Sequence, residues 1–283
     1  MPCPKYDTFF GQRKDCPKSA ASFGQDKGWH KRVFRSLANV SLIEKQDALA
    51  RDWLEADPDS AATLCVDGHV KVYTGRKGHL KRHFVARRKL CLPAAASYWL
   101  NALDERPFVC LQQDLDPGLV QALRSEVVPC LRELGSLPAN WEVAQGPAVT
   151  LVFEREGWSP KLFRELARQG VACITWHKGR QASEWHESAF RTMAVPINAP
   201  GGQTCRTARL AERQVELLKG FEVREIRRRL DDGRQAALLT THPDLSMERV
   251  AGALLSRWTQ ENYFNTCARS SHWMACPSTR WLR

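Results

Sequence analysis

Residues 149–176, VTLVFEREGWSPKLFRELARQGVACITW, decide the fold because they predict a strand, a helix and a second strand in immediate succession. VTLVFERE and VACITW are apolar runs rich in β-branched residues, which favour strands. Between them Ser159 is a helix N-cap, Pro160 suits the first helical position, and Gly170 suits the helix end. This βαβ-like unit predicts an α/β architecture.

The residues upstream add more strands and a helix. ATLCVDGHVKVYTG (62–75) alternates in polarity and predicts one strand, or a pair of strands that turns at Gly68. PFVCLQQD (107–114) predicts another strand. Turn residues at 116–118 then open a helix to about Leu134, whose buried stripe is Leu119, Val120, Leu123, Val127 and Leu131.

The residues downstream predict a β-rich segment followed by a last helix. VREIRRRL and AALLTT are strand-like, and Asp231-Asp232-Gly233 between them predicts a hairpin. Ser246 then caps a final helix that runs to about Cys267. This order of elements is compatible with the RNase H-like group: a mixed five-stranded sheet flanked by helices, with a β-rich insertion before the last helix. Other α/β sheets fit the same order.

These patterns divide the chain into six segments. We expect a poorly ordered arm at 1–35, a helical lead-in at 36–60, the first part of the core at 61–183, the β-rich insertion at 184–246, the C-terminal helix at 247–267, and a tail without a helical stripe at 268–283.

The net charge of +11 indicates a polyanionic partner, because each phosphate contact releases condensed counterions. A merely basic soluble protein is the alternative. No apolar run approaches the roughly 18 residues of a membrane span, and the N-terminus lacks the apolar region of a signal peptide. We therefore expect a cytoplasmic protein.

The cysteines are consistent with that compartment. Cys65, Cys91, Cys110 and Cys173 lie in apolar, strand-like runs, where reduced cysteine behaves as a small hydrophobic residue. No CxxC pair occurs, so a structural zinc site has little support. We expect reduced thiols.

Three acids stand on separate predicted elements: Asp67 and Glu154 on strands and Glu261 on the last helix. Two-metal phosphoryl transfer needs carboxylates that converge on divalent ions, and Mg²⁺ and Mn²⁺ prefer such oxygen ligands. The acids therefore predict a Mg²⁺ or Mn²⁺ site in a basic protein. Glu156, two residues after Glu154, would project from the same strand face and is a substitute candidate.

Each acid also has a simpler explanation. Asp67 before Gly68 suits a hairpin turn, and Glu154 suits a solvated strand end. Glu261 stands four residues after Arg257, the spacing of a surface ion pair on a helix. The order of the three acids along the chain, rather than any one of them, supports the metal site.

Basic residues cluster in two stretches and at the last helix, and we interpret them as phosphate contacts. A solvated strand face is the alternative. His69 and His79 stand among these cations and could be ligands or phosphate-facing residues. The predicted DNA contacts are Lys77, Lys81, Arg82, Arg87, Arg88, Lys89, Arg224, Arg227, Arg228 and Arg257.

With these residues, the chain resembles bacterial insertion-sequence transposases of the DDE type. LCVDGHVKVYTGRKG, VFEREGWSPKLF with ACITWHKG, and LLSRWTQENYF carry the resemblance, which runs from about Ala61 to Cys267. It implies an RNase H-like core with a β-rich insertion and Mg²⁺-dependent strand cleavage and transfer at transposon ends. It also implies that Asp67, Glu154 and Glu261 are the catalytic metal ligands. Double-stranded DNA is the implied partner, bound by a homodimer.

Three departures from the family pattern indicate a decayed or truncated copy. The family expects Asp in a VFDREG context where this chain has Glu154, so we expect impaired catalysis. A frameshift would explain the C-terminal stretch SSHWMACPSTRWLR. The family usually has a helical region at the N-terminus that binds the transposon ends, and residues 1–30 show no such helical pattern.

Two other functions remain open. An RNase H-like nuclease would use the same acids without joining DNA ends, and a DNA-binding protein with a dead catalytic core would retain only the basic surface. A metabolic enzyme is a distant further alternative, since neither a Gly-rich phosphate loop nor a nucleophile elbow occurs.

Overall fold

The computed structural model describes residues 42–73, 80–85, 88–104, 106–113, 117–142, 145–179, 183–199 and 202–257. The chain divides into two units. Of the first, residues 1–45, the structure describes only 42–45, which form the first turn of a helix. The second unit, residues 46–283, contains the sheet. The predicted arm and tail lie outside the described residues, so those segment boundaries stay predictions.

Five helices accompany the sheet in the described part of the chain. Their bounds are α1 Leu42–Ala56, α2 Pro58–Ala61, α3 in three segments (Leu119–Ala122, Leu123–Val127 and Val128–Glu133), α4 Pro160–Ala167, and α5 at 247–257. No described helix is long and apolar enough to cross a membrane.

Within the described residues the sheet has ten strands, some parallel and some antiparallel. In chain order they are β1 Thr63–Val72, β2 Arg82–Val85, β3 Leu90–Ala102, β4 Pro107–Gln113, β5 Val149–Phe153, β6 Val171–Trp176, β7 Arg191–Ala199, β8 Gly202–Leu218, β9 Phe221–Arg229 and β10 Gln235–Thr240. Their spatial order is β2-β3-β1-β5-β6-β10-β9-β8-β7, with β4 also paired to β3.

The predicted βαβ unit is confirmed and forms the centre of the sheet. β5 pairs in parallel with both β1 and β6, and every residue of β5 is buried. The Ser159 hydroxyl accepts the backbone N–H of Leu162 at 3.3 Å, which caps α4 as the sequence predicts. Gly170 has a positive φ of 81° at the turn into β6. Strands buried on both faces explain why these runs are continuously apolar.

The predicted sheet of five strands is too small. β10 pairs with β6 through Leu238 opposite Trp176, so the β-rich segment continues the central sheet. The Asp231-Asp232-Gly233 hairpin is confirmed: it joins β9 to β10, and Gly233 has a φ of 85°. Local sequence patterns identified these strands, but such patterns do not specify which strand of the central sheet a new strand will pair with.

Gly68 is not a turn, because β1 runs without interruption from Thr63 to Val72. Gly68 lies opposite Tyr98 of β3, and a Cβ atom at position 68 would lie 3.0 Å from the Tyr98 ring. The glycine therefore makes room for a buried aromatic ring inside the sheet. Of the two alternatives from the sequence, the single strand is confirmed and the strand pair is wrong.

The helix predicted to follow residue 118 is confirmed, with an irregularity at its centre. Leu119, Leu123, Val127 and Leu131 are buried as predicted, while Val120 is partly buried. A π-helical turn spans Leu123–Val127, immediately before Val128 and Pro129. Proline has no N–H to donate to the preceding turn, so a π turn before it is a physically reasonable adjustment.

The sheet separates two hydrophobic cores. Leu64, Val66 and Leu151 face the core that α3 and α4 cover. Cys65 and Val152, at alternate positions, face a second core that contains Val250 and Leu254 of α5 among other residues. Because side chains alternate along a strand, any neighbour two residues from Cys65 or Val152 points towards α5.

α5 lies in direct backbone contact with β7. A Cβ atom at Gly252 would lie far inside van der Waals contact with the Pro196 carbonyl oxygen. One turn later, the Ser256 hydroxyl accepts the backbone N–H of Asn198 at 2.9 Å and donates to the Gly252 carbonyl at 2.8 Å. The glycine and the serine thus set the position of α5 on the sheet.

This contact predicts the sign of the stability change in Gly252→Ala. In an open helix, Gly to Ala adds about 1 kcal/mol of stability. Here the added methyl overpacks against β7, so we expect a net loss of roughly 1–3 kcal/mol in the free energy of unfolding, measured by urea denaturation. Arg249→Gly, at an exposed position of the same helix, is the control that reports the helix-propensity effect away from this contact. A more stable Gly252→Ala protein would contradict the contact.

Candidate functional site

Asp67 and Glu154 are neighbours across the centre of the sheet. Val66 of β1 pairs with Phe153, the last residue of β5, and Glu154 continues the extended backbone by one residue, so Asp67 and Glu154 stand at the same level. Adjacent strands lie about 4.8 Å apart. Asp67 follows Cys65 by two residues and Glu154 follows Val152 by two, which directs both side chains towards α5. The structure therefore brings together two acids that are far apart in sequence.

Arg257 of α5 binds both carboxylates. Its Nη2 lies 3.1 Å from Asp67 Oδ1, and its Nη1 donates to Glu154 Oε1. The Arg257 side chain is 3% exposed, against 21% for Asp67 and 34% for Glu154. The sequence predicted Arg257 as a phosphate contact or as the surface partner of Glu261, but the structure places it inside, between the two acids.

His69 supports Asp67 from the same strand face. Its Nε2 lies 3.2 Å from Asp67 Oδ2, so each oxygen of the Asp67 carboxylate has a partner. Burial raises the pKa of Asp67, but the hydrogen bond from His69 and the charge of Arg257 outweigh it and hold that pKa below its ordinary value of 3.8. Asp67 is therefore ionised at neutral pH.

The two carboxylates fit a divalent cation as a partial ligand set. They converge on one buried cation, the Arg257 guanidinium, and Mg²⁺ is commonly held by one or two carboxylates with water and phosphate. Within the described ranges no group of three His, Cys, Asp or Glu residues is arranged to hold a metal ion. Glu261, the third predicted ligand, lies outside those ranges.

Glu156 does not share the strand face with Glu154. It lies in a 3-10 turn, Arg155–Gly157, that begins directly after β5, and it is exposed. The period-two argument fails here because the strand ends at Phe153. Glu156 is therefore not a substitute for Glu154.

A stacked aromatic pair that the sequence patterns did not identify lies after β5 and β6. The Trp158 and His177 rings are 4.9 Å apart and almost parallel. Burial lowers the pKa of His177, the charge of Arg227 lowers it further, and Glu225 opposes both. His177 immediately follows Trp176, which faces the second core with Val152, and Trp158 packs against the core that α3 and α4 cover, so this pair lies on the opposite face of the sheet from the carboxylates.

The predicted phosphate contacts fall into an exposed group and an internal group. The exposed residues are Lys81, Arg82, Arg88 and Lys89, which lie on or beside the β2–β3 hairpin. The Arg82 guanidinium donates to the Cys91 carbonyl at 2.8 Å. Lys77 and Arg87 lie outside the described residues.

Arg227 belongs to the internal group. It is 1% exposed, pairs with Glu225 at 2.7 Å, and lies 4.4 Å from the centre of the Trp185 ring. It also donates to the Ser183 carbonyl. These partners satisfy the guanidinium inside the fold, so we do not retain Arg227 as a phosphate contact. Arg228, its neighbour on β9, is half-buried.

Arg224 also acts internally, as the anchor of the loop that leads into α5. It pairs with Glu212 and donates to the carbonyls of His242 at 2.9 Å and Leu245 at 2.6 Å. His242 Nδ1 accepts the backbone N–H groups of Asp244 at 3.2 Å and Leu245 at 3.0 Å. The loop therefore depends on one cation and one neutral imidazole.

Free thiols in the part of the chain that the structure describes include Cys91, Cys110, Cys130, Cys173 and Cys205. Cys65 and Cys173 are buried as expected, whereas Cys91 is exposed on β3. Burial raises the pKa of Cys110 to about 11, so this thiol stays protonated.

The role of His242 predicts a pH dependence of stability. Burial and the charge of Arg224 lower its pKa below the ordinary 6.5, although Asp244 opposes them. The unfolded chain then binds more protons, so stability falls as the pH drops from about 7.5 to about 5. We expect His242→Asn, whose amide oxygen accepts the same N–H groups without titrating, to reduce this fall in urea denaturation. The same slope in both proteins would contradict it.

A family model described as "Transposase protein" matches residues 31–272. No curated protein matches the chain. Among solved structures, the chain is similar to piggyBac transposase in a synaptic complex with hairpin DNA, with 12% identity, a TM-score of 0.37, and coverage of 73% of this chain and 40% of that chain.

The chain is also similar to the NurA nuclease from Sulfolobus solfataricus, with 11% identity, a TM-score of 0.26, and coverage of 88% of this chain and 99% of that chain. Neither structural likeness is close enough to carry an activity. The chain spans 40% of the length of the piggyBac transposase chain it matches.

Proposed function

Because the chain belongs to the transposase protein family whose model matches residues 31–272, we propose that it cleaves and joins DNA at transposon ends by divalent-metal phosphoryl transfer. The observation that carries this proposal is the convergence of Asp67 and Glu154 on one buried cation, Arg257. Mg²⁺ or Mn²⁺ is the proposed cofactor, and a bacterial insertion sequence of the DDE type is the proposed origin.

The proposed core is RNase H-like, and the strand order supports it. β3 and β4 extend antiparallel from one side of β1, while β5 and β6 lie parallel on its other side. Asp67 on β1 and Glu154 directly after β5 are consistent with the strand positions that the resemblance implies for two of the acids. The β-rich segment precedes α5, as in related transposases.

The chain's own residues would prepare the site. Asp67 and Glu154 supply hard oxygen ligands on rigid strands, and Glu261 is the proposed third ligand. His69 orients the Asp67 carboxylate through its contact with Oδ2. A bound divalent ion would supply Lewis-acid stabilisation of the phosphoryl group and an acidified water.

Glu154 is the proposed weak point of catalysis. Compared with Asp, it carries the carboxylate about 1.5 Å further from the backbone. Catalytic groups tolerate displacement of only about 0.5 Å. We propose that this substitution impairs activity, and that Glu154→Asp raises it.

Metal-dependent cleavage of DNA carrying the cognate ends tests the acids. We expect Asp67→Asn, Glu154→Gln and Glu261→Gln to lose at least about 100-fold in Mg²⁺-dependent nicking, because each removes a metal ligand. Glu156→Gln, the matched control two residues from Glu154, should retain wild-type activity. Wild-type nicking by all three acid variants would refute the proposed site.

The same assay, extended to strand joining, separates the alternatives. Cleavage without joining would favour an RNase H-like nuclease. Salt-dependent DNA binding that survives Glu261→Ala, without any metal-dependent cleavage, would favour a catalytically dead DNA-binding protein. Glu154→Asp activity equal to wild type would contradict the proposed impairment.

The proposed partner is double-stranded DNA, bound by two copies of the chain. The exposed cations Lys81, Arg82, Arg88 and Lys89 support this, since they lie on one hairpin. Lys77, Arg87 and Arg228 remain proposed contacts.

The exposed hairpin predicts the salt dependence of DNA binding. Each lost phosphate contact should lower the slope of log affinity against log salt by about 0.9. We expect Lys81→Gln and Arg88→Gln each to lower this slope by about 0.9 in fluorescence anisotropy. Arg132→Gln removes an exposed arginine of α3, paired with Gln169, and should leave the slope unchanged. If the salt-dependence slopes of the wild type and all three variants were equal, the β2–β3 hairpin would not be part of the DNA-binding surface.

A further inference from the structure

We propose that Arg257 is a built-in counter-cation for the site: it holds the Asp67 and Glu154 carboxylates in the metal-free protein, and a divalent cation must displace it to bind. This inference rests on the proposed function, because it concerns how the same two acids exchange one cation for another.

Arg257 and a bound divalent cation would compete for the same carboxylate oxygens. The two Nη groups of Arg257 go to different acids, to Asp67 Oδ1 and to Glu154 Oε1. The remaining Asp67 oxygen, Oδ2, faces His69 Nε2 at 3.2 Å. A cation that bridges the two carboxylates must therefore take an oxygen that Arg257 or His69 holds.

Burial and charge make displacement of Arg257 unfavourable for a monovalent cation but favourable for a divalent one. Arg257 is 3% exposed, so water screens its attraction to the acids poorly. Its single positive charge faces two negative charges, whereas one divalent ion compensates both. A guanidinium and a divalent ion held together would repel each other at close range.

The exchange requires rotation of a side chain and not a shift of α5. Ser256, the residue before Arg257, is bound to the backbone of β7 through Asn198 at 2.9 Å. Gly252, one turn earlier, leaves no space between α5 and the Pro196 carbonyl. The helix is therefore held while the long, flexible arginine side chain can leave the carboxylates.

Metal affinity of the DNA-free, full-length chain tests the inference. Isothermal titration with Mn²⁺ should show Arg257→Gln binding at least about tenfold more tightly than wild type, because no internal cation has to be displaced. Saturating Mg²⁺ should also raise the melting temperature of this variant more than that of wild type. Arg257→Lys should bind with intermediate affinity, since an ammonium is a point charge without the planar fork.

Arg124→Gln is the charge-matched control. Arg124 makes a similar two-pronged ion pair, with Glu165, but on the surface between α3 and α4. It removes the same unit of charge, so its Mn²⁺ affinity should equal that of wild type. A gain as large as that of Arg257→Gln would assign the effect to net charge and overturn the inference.

The remaining outcomes separate the inference from the proposed function. Equal or weaker Mn²⁺ binding by Arg257→Gln, with binding by wild type, would overturn the counter-cation and leave the metal site intact. The absence of Mn²⁺ binding in every protein would overturn both. If Arg257→Gln does not fold, the test is the NMR signal of the Arg257 side-chain Nε–H in the wild-type protein. This signal should shift when Mg²⁺ is added. An unchanged signal would overturn the inference.

Discussion

The double ion pair of Arg257 with Asp67 and Glu154 joins three elements that are remote in sequence: β1, β5 and α5. One buried cation compensates two carboxylates that would otherwise repel each other across about 4.8 Å of sheet. Removing a partner from a buried ion pair is costly because the remaining charge stays desolvated. The charge state of the site therefore depends on the side chain that α5 places between the two acids.

The rest of the fold holds this arrangement in place. The parallel strands β1 and β5 set the two acids level, and alternation along the strands directs them towards α5. Gly252 and Ser256 of α5 contact β7, which is an edge strand of the sheet. Arg224 and His242 then shape the loop that delivers the chain from β10 into α5. The β-rich segment thus supports the helix that closes the site.

Sequence patterns predicted helix and strand ends well wherever a residue type has one common structural role, such as a helix cap or a glycine with positive φ. Ser159 caps α4 and Gly233 takes a positive φ, as their types suggested. They failed where a distant partner decided the outcome. Gly68 looked like a turn but makes room for the Tyr98 ring, and Arg227 looked like a phosphate contact but has Glu225 and Trp185 as internal partners.

The sequence by itself determined the α/β class, the βαβ unit, the hairpin before β10, and Asp67 and Glu154 as candidate acids, because periodicity, caps and turn residues act within a few neighbours. Only the tertiary structure decided that the β-rich segment extends the central sheet and that Arg257 stands between the two acids. The ion pairs of Arg257 join residues more than a hundred positions apart, and β10 pairs with β6 across a long intervening segment, so no local pattern encodes the partner.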